Sequence, residues 1–271
     1  MSKRKIKIAT WNINSVRLRI ELVKDLLKSE QPDVLCLQEI KCVNDAFPLK
    51  EFQKAGYEHV AIHGQKGYHG VAIASRIPFT KSDMHAFCDT GDARHVSVDL
   101  DIPDGLTIHN FYVPAGGDEP DPVINVKFAH KLSFLTEMTS WYKAHKKKDT
   151  SRMVLVGDLN IAPLEHDVWD HKKLLKVVSH TPIEVEMMKT LMASHDWVDV
   201  MRQFVPENEK LYSWWSYRAK DWDAADKGRR LDHVWVTPAL KDAAKDMKIL
   251  REARGWERAS DHVPVIVTLA I

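Results

Sequence analysis

The chain has 271 residues, of which 44% are hydrophobic, with 39 Lys and Arg against 38 Asp and Glu. This composition is ordinary for a soluble globular protein with a well-buried core, and the near-zero net charge excludes attraction to nucleic acid by total charge alone. The three cysteines include no CxxC pair, which argues against a disulfide framework and against a zinc site. Because the chain also lacks a signal-peptide core and any membrane-length apolar run, we expect a cytoplasmic protein with no membrane contact.

The N-terminal part predicts a strand, a helix and a second strand. Residues 5–13 (KIKIATWNI) alternate polar and apolar side chains, which is the period of a half-buried strand. Residues 16–29 carry apolar side chains at helical spacing, and the segment PDVLCLQ then predicts a short apolar strand. A short helix is predicted near residues 48–55.

A hairpin is predicted in the next part of the chain. The segment GVAIAS at 70–75 indicates a strand, and HVSVDLDI at 95–102 indicates a second one by its strict alternation. The Pro-Asp-Gly turn at 103–105 leads into LTIHNFYV, so these last two runs can pair as a hairpin.

The second half alternates helices and strands. Residues 122–146 predict a long amphipathic helix that begins near Val123 and Val126, followed by a solvated charge run, HKKKDTSR, at 145–152. MVLVG then predicts a strand. A helix is predicted over 180–192 because Thr181, Pro182 and Glu184 form a capping-box pattern, and two more strands are predicted over 231–237 and 262–271.

These elements predict one α/β domain over residues 1–271. No linker rich in Gly, Ser and Pro divides the chain. Several strands are joined by turns too short for a helical crossover, so part of the sheet structure must be antiparallel. This argues against a fully parallel, doubly wound fold.

Polar residues stand beside apolar strands throughout the chain. In VLVGDLNIAP (154–163) the Asp and Asn taken alone indicate a turn, and each other example alone is commonly a solvated or structural residue. Because neighbouring antiparallel strands bring the start of one beside the end of another, all of them could gather at one rim of a sheet sandwich. The set is Asn12, Glu39, Tyr112, Asp158, Asn160, Asp232, Asp261 and His262.

Such a gathering would favour metal-assisted phosphodiester hydrolysis. Carboxylate and amide oxygens without cysteine suit a hard cation such as Mg²⁺. A histidine beside carboxylates can act in acid–base catalysis or donate to a phosphoryl oxygen. The sequence contains no GxSxG elbow, no P-loop and no GxGxxG, so those routes are set aside.

Seven motifs taken together resemble the exonuclease III family of abasic-site endonucleases. They are TWNINSVR, LQEIK, GYHGVAIASR, FYVPAGG, GDLNIAP, RRLDHVWVT and SDHVPV, in the order found in that family. The resemblance covers the chain from about residue 6 to 269. It implies the DNase I-like fold, a four-layer α/β sandwich in which two mixed sheets pack face to face between helices.

The resemblance also implies roles for single residues. Glu39 would be the principal Mg²⁺ ligand, with Mn²⁺ as a substitute, and Asp158 would activate the attacking water or handle the leaving-group proton. His262 would contact the scissile phosphate, with Asp232 holding its imidazole. Further metal-site residues would be Asn12, Asp158, Asn160, Asp261 and His262, and the other catalytic residues would be Tyr112 and Asn160.

The DNA contacts implied by the resemblance include two departures from the family pattern. Ala115 stands where relatives carry an amide, and Arg229 stands where many relatives carry a tryptophan that walls the pocket for the abasic sugar. Arg218 belongs to LYSWWSYRAKDW, where aromatic and basic residues interleave. The predicted DNA-binding residues are Lys41, Tyr68, Arg94, Trp214, Arg218, Arg229 and Leu231.

We therefore expect a monomeric Mg²⁺-dependent DNA-repair nuclease. It would cut 5′ of abasic sites to leave a 3′-hydroxyl, and would trim or clean 3′ ends of double-stranded DNA. Two alternatives stay open for the activity: a mainly exonucleolytic homologue with an abasic pocket altered by Arg229, or a phosphodiesterase acting on another phosphate substrate, such as a lipid headgroup. A catalytically silent DNA-binding protein would require a lost catalytic residue, and the set is intact.

Overall fold

The computed structural model describes residues 4–144 and 151–271, and these contain fourteen strands. In chain order the strands are β1 (Lys5–Asn12), β2 (Val34–Gln38), β3 (His59–His63), β4 (Val71–Ser75), β5 (Phe79–Asp83), β6 (His95–Leu100), β7 (Leu106–Tyr112), β8 (Met153–Asp158), β9 (Val198–Asp199), β10 (Trp214–Trp215), β11 (Gly228–Arg229), β12 (Asp232–Val236), β13 (Ala244–Ile249) and β14 (Val265–Ala270).

Seven α-helices lie in the same described ranges. They are α1 (Ile20–Ser29), α2 (Leu49–Lys54), α3 (Val126–Ala144), α4 (His171–Leu174), α5 (Pro182–Ala193), α6 (Val200–Phe204) and α7 (Trp222–Ala225). None of the helices in the described part of the chain is long and apolar enough to span a bilayer.

The strands form two six-stranded sheets and a small hairpin of β10 and β11. The first sheet has the order β13-β14-β1-β2-β4-β3, and the second has the order β5-β6-β7-β8-β12-β9. Each sheet has one parallel pair near its centre, β1 with β2 and β7 with β8, while its other pairs are antiparallel. Both sheets are therefore mixed.

The two sheets pack face to face and helices cover their outer sides. Ile73 and Val267 of the first sheet share one buried cluster with Val98 and Val156 of the second. Helices α1 and α2 pack on the outer face of the first sheet, and α3 and α5 pack on the outer face of the second. Because each sheet packs against the other sheet on one face and against helices on the other, central strands such as β2, β4 and β12 are buried at every residue.

Most predicted elements are confirmed, including the hairpin of β6 and β7 and the capping box that begins α5. The predicted helix over 16–29 begins only at Ile20, since residues 16–19 form a turn. The helix predicted over 122–146 begins at Val126, and Val123 lies before it with 87% of its surface exposed. Residues 145–150, which contain most of the predicted charge run, lie outside the described residues.

Three strands longer than two residues were not predicted, namely β3, β5 and β13. Each lies at the edge of its sheet, and β5 and β13 are largely exposed on both faces. An exposed edge strand has no buried face, so it lacks the apolar alternation that marks a strand in sequence.

Candidate active site

The sheet topology brings the predicted site residues to one rim of the sandwich. Asn12 and Tyr112 end β1 and β7, and Glu39 follows β2 directly. Asp158 ends β8, where it pairs with Tyr112 on one side and with Asp232, the first residue of β12, on the other. The carboxyl ends of both parallel pairs thus meet the amino end of an antiparallel strand, which is the convergence predicted from the sequence.

A glycine permits the close approach of the two strands that carry Tyr112 and Asp158. Gly157 has φ +139°, and a Cβ at this position would lie 2.0 Å from the carbonyl oxygen of Phe111. Real side chains do not tolerate such a contact, so the pairing of β7 with β8 at this point requires glycine.

The floor of the site is a buried chain of two carboxylates and one imidazole. The Nδ1–H of His262 donates to Asp232 Oδ2 at 2.8 Å, and His262 Nε2 lies 3.5 Å from Asp158 Oδ2. Burial alone would lower the pKa of His262, but the carboxylates of Asp232 and Asp158 outweigh it and raise that pKa to about 10. His262 is therefore a charged hydrogen-bond donor near neutral pH.

Asp158 is held by amide groups on its other side. The backbone N–H of Asn160 donates to Asp158 Oδ1 at 2.9 Å, and the side-chain amides of Asn12 and Asn160 donate to Oδ2 at 2.9 and 3.2 Å. Burial raises the pKa of Asp158 to about 7 against the opposing charge of His262. This carboxyl group can therefore take up or release a proton near neutral pH.

Glu39 forms a second, more open end of the site. Its Oε1 accepts from Asn12 Nδ2 and from the Tyr112 hydroxyl, both at 2.9 Å, and its Oε2 lies 2.8 Å from Lys41 Nζ. Burial would raise the pKa of Glu39, but the charge of Lys41 and the bond from Asn12 leave that pKa lowered. Glu39 is therefore an anion that a cation already contacts.

The backbone around Glu39 is strained. Asn14, Glu39 and Lys41 all have positive φ values, between +48° and +52°, as does Asn160 at +54°. Residues other than glycine rarely adopt this region of backbone conformation. Such positions cluster at functional sites, where the surrounding structure holds the backbone in place.

The donor set at this rim fits a hard divalent cation. Among the described residues, Asp158, Asp232 and His262 place one ligand atom each within 4.8 Å of the others. However, both imidazole nitrogens of His262 face carboxylates, which favours a proton donor over a metal ligand. The carboxylate of Glu39 offers the oxygen ligands that such cations prefer, while the Asn12 side chain donates its N–H to Glu39 Oε1 and accepts from the Asn14 N–H through its Oδ1.

Asp261 is engaged with neighbours on the other side of the rim. Its Oδ2 accepts from Trp214 Nε1 at 2.9 Å, and its Oδ1 accepts from Asn14 Nδ2 at 3.3 Å. The predicted metal-site role of Asp261 stays a prediction, since its described contacts position Trp214.

The floor opens into a cleft of about 870 Å³, and Arg229 forms part of its wall. The Arg229 guanidinium donates to the Val178 carbonyl at 3.1 Å and to Ser179 Oγ at 2.7 Å. Its central carbon lies 5.3 Å from the ring centroid of Trp214. Other lining residues are Tyr112, Asn160, Trp169, Arg218, Lys220, Lys227 and Leu231.

The remaining predicted DNA contacts differ in exposure. Tyr68 is 72% exposed, so its ring is open to a partner. Arg94 is only 5% exposed: its Nε bonds to Asp92, its Nη1 donates to the Tyr112 carbonyl, and its guanidinium packs over the Tyr112 ring. The contact of Arg94 with DNA stays a prediction, since its described partners brace Tyr112.

Sequence reasoning did not single out two residues that complete the site. Asn14 accepts from Lys41 Nζ at 2.6 Å, and its position two residues after Asn12 in TWNINSVR was the available signal. Ser213 Oγ donates to Asp232 Oδ2 at 2.6 Å, and nothing in the local sequence marks it. Arg230, two residues before Asp232, is buried and paired with Asp167 and Asp199.

Residues 9–262 match the endonuclease/exonuclease/phosphatase family. The chain belongs to this family. It is similar to exodeoxyribonuclease III of Haemophilus influenzae, with 32% identity over 96% of this chain and 98% of that protein. It is also similar to the structure of an AP endonuclease from Archaeoglobus fulgidus, with 31% identity, a TM-score of 0.89, and coverage of 98% of this chain and 100% of that one.

A third relative was solved with DNA. The 3′ phosphatase NExo from Neisseria, bound to product DNA hairpin, shares 31% identity and a TM-score of 0.87 over 97% of this chain and 98% of that one. These similarities confirm the family, the fold class and the class of enzyme, a DNA-repair nuclease, that the motifs predicted. The roles of single residues and the identity of the metal stay predictions.

Proposed function

We propose that this protein hydrolyses the phosphodiester bond 5′ of abasic sites in double-stranded DNA, leaving a 3′-hydroxyl, and also trims and cleans 3′ ends. The observation that supports this most strongly is the placement of Asp158, His262 and Glu39 at one end of a single cleft. One wall of this cleft is the indole of Trp214, which offers a face to an unstacked sugar or base.

The buried floor supplies two complementary groups. His262, which Asp232 keeps protonated, donates a hydrogen bond from Nε2 to a non-bridging oxygen of the scissile phosphate. Asp158 moves the proton of the attacking water or of the leaving oxygen, because its raised pKa lies near neutral pH. Asn160 fixes the Asp158 carboxylate, and the Tyr112 hydroxyl lies at the same end of the cleft, where the phosphate would bind.

Glu39 and Asn12 would hold Mg²⁺, with Mn²⁺ as a substitute, and Asp261 would lie close to it. When bound, the ion neutralises charge that develops on the phosphate. The lowered pKa of Glu39 supports this assignment, since it keeps the carboxylate ionised and able to bind a cation.

We further propose that residues 1–271 act as a single catalytic domain and as a monomer in the cytoplasm. Both sheets share one buried cluster and contribute to one cleft, which supports a single domain. The free cysteines fit a reducing compartment. Lys41, Tyr68, Arg94 and Arg218 would contact the DNA backbone, while Trp214, Leu231 and Arg229 would wall the pocket.

An end-labelled duplex with one stable abasic analogue tests this proposal, in Mg²⁺ and in EDTA. We expect prompt incision on the 5′ side of the analogue, abolished by EDTA. Activity that persists in EDTA would contradict the metal assignment. Turnover of a phosphoinositide headgroup with no cleavage of DNA would replace the proposed substrate with a lipid one.

A mainly exonucleolytic activity is the second candidate, and Arg229 favours it. A neutral sugar in the pocket would cover the charged guanidinium in its wall and remove that charge from water, which costs free energy. On the same duplex, this candidate predicts shortening from the 3′ ends while the analogue stays uncut.

A further inference from the structure

A fully buried lysine contacts the loop that follows β8 and carries Asn160. Lys131 of α3 has no exposed surface, and its ammonium group contacts three oxygens. It donates to the carbonyl of Asn160 at 2.8 Å, to the carbonyl of Ala115 at 3.3 Å and to Glu184 Oε1 at 2.5 Å. One side chain thus holds the carbonyl of Asn160 and the neighbouring loop at Ala115, and both of these residues line the cleft.

The partner of Lys131 reaches the pocket wall. The Glu184 carboxylate, also without exposed surface, accepts from the backbone N–H of Ser179 at 2.9 Å and from the N–H and hydroxyl of Thr181. Ser179 in turn accepts from Arg229 through its hydroxyl. The pair of Lys131 and Glu184 therefore connects the Asn160 loop to Ser179, which accepts a hydrogen bond from Arg229.

Stability alone does not explain a buried ion pair at this place. Removing two charges from water is costly, and well-packed apolar residues commonly replace such a pair without loss of stability. Burial leaves the pKa of Lys131 lowered even beside Glu184, which shows how strongly this site penalises the charge. The Lys131 stem also packs closely on the loop, since a Cβ at Gly116 would lie 2.9 Å from Lys131 Cδ.

We propose that Lys131 is a positioning residue for the reaction. Its ammonium group binds the carbonyl of Asn160 and so fixes that residue in its left-handed backbone conformation. Through Glu184 it also holds Ser179, which accepts a hydrogen bond from Arg229. Without it, the Asn160 amide no longer holds the Asp158 carboxylate in one orientation, so the chemical step suffers more than DNA binding does. This inference rests on the proposed nuclease function.

The test replaces both charges at once, because a lone Lys131→Met change would leave Glu184 buried and unpaired. Gln at 184 keeps an acceptor for the Ser179 N–H. The Lys131→Met/Glu184→Gln variant is compared with wild type and with Met138→Ala, a buried change two turns further along α3 that leaves the ion pair of Lys131 and Glu184 intact. Steady-state kinetics on the abasic duplex are paired with amide hydrogen exchange of segments 158–162 and 177–181.

We expect the double variant to lose kcat on the order of 10- to 100-fold with KM within about threefold, and to exchange faster in both segments. Met138→Ala should lower the melting temperature yet keep kcat and the protection of both segments. A double variant with wild-type kcat and unchanged exchange would overturn the inference. So would an equal loss of kcat in Met138→Ala, since general destabilisation would then explain it. If wild type cleaves no DNA, the proposed function fails, while the exchange data still decide the positioning role.

Discussion

Two buried histidines near the site have opposite charge states. His262 and His233 are 4% and 0% exposed, yet the pKa of His262 is raised to about 10 and that of His233 is lowered to about 3. His233 follows Asp232 on β12 and therefore points to the other face of the sheet, where its Nε2–H donates to the Ile161 carbonyl at 2.8 Å.

The difference shows that burial does not set the function of an imidazole. Burial favours the neutral ring in both cases, and the positive charge of Arg230 adds to this effect at His233. At His262, two carboxylates reverse the outcome and produce a charged donor that faces the cleft. The histidine beside carboxylates is thus the one suited to act on a phosphate, and the other is structural.

The largest expected effect is at His262. Replacing it with Asn removes the charged donor, so kcat should fall about 10²- to 10⁴-fold, while the Kd for uncleaved DNA changes little. The measurement is single-turnover cleavage of the abasic duplex beside a binding assay in EDTA. His233→Gln is the matched control and should keep kcat within about threefold. A His262→Asn variant that simply fails to bind DNA would make His262 a structural residue as well.

Glu39→Gln should have the next largest effect, at the open end of the site. Loss of the carboxylate charge weakens metal binding, so activity at low Mg²⁺ should fall about tenfold or more and recover partly as Mg²⁺ is raised. A Mg²⁺ titration measures this shift, with Glu58→Gln, a change at an exposed position, as control. Unchanged activity at low Mg²⁺ would remove Glu39 from the metal site.

Arg229→Ala should change the preference between abasic incision and 3′-end shortening more than it changes the rate of cleavage. Its guanidinium occupies the pocket wall against Trp214, so its removal should favour abasic incision over 3′-end shortening by a few-fold to about tenfold. The ratio of the two products on one end-labelled duplex measures the effect, with Arg76→Ala, at an exposed position outside the cleft, as control. Equal ratios in wild type and Arg229→Ala would show that the wall does not select the substrate.

The last prediction concerns stability at acidic pH and depends on the structural histidine His233. Because the folded-state pKa of His233 lies below the unfolded value of about 6.5, the unfolded chain takes up the proton first as pH falls. Its contribution to the free energy of unfolding is complete above pH 6.5 and is lost between pH 6.5 and 3, by about 2 kcal/mol at pH 5. Urea unfolding at pH 7 and 5 should show this loss in wild type, and His233→Gln should lack it. Equal pH dependence in both proteins would contradict the buried neutral state.

The residues of the candidate site were largely predicted from the sequence, whereas the buried residues that hold them in place were not. Asp158 and Asn160 were visible because polar residues interrupt an apolar strand, and the seven motifs then implied the fold. The buried ion pair was not predicted: Lys131 was not singled out, and Glu184 was predicted only as part of the capping box that begins α5. A lysine in an amphipathic helix and an acidic residue in a capping box are both typical of solvated positions. Their burial results from tertiary packing of α3 against α5, which no local pattern records.

The close approach at Gly157, the glycine before Asp158, restricts which mutations of its codon preserve the site. Any substitution at Gly157 places a Cβ on the carbonyl of Phe111 and forces apart the strands that present Tyr112 and Asp158. Every missense change in that codon therefore alters the spacing between two site residues, although the glycine itself touches no substrate. Codon 157 is therefore expected to be closed to neutral drift.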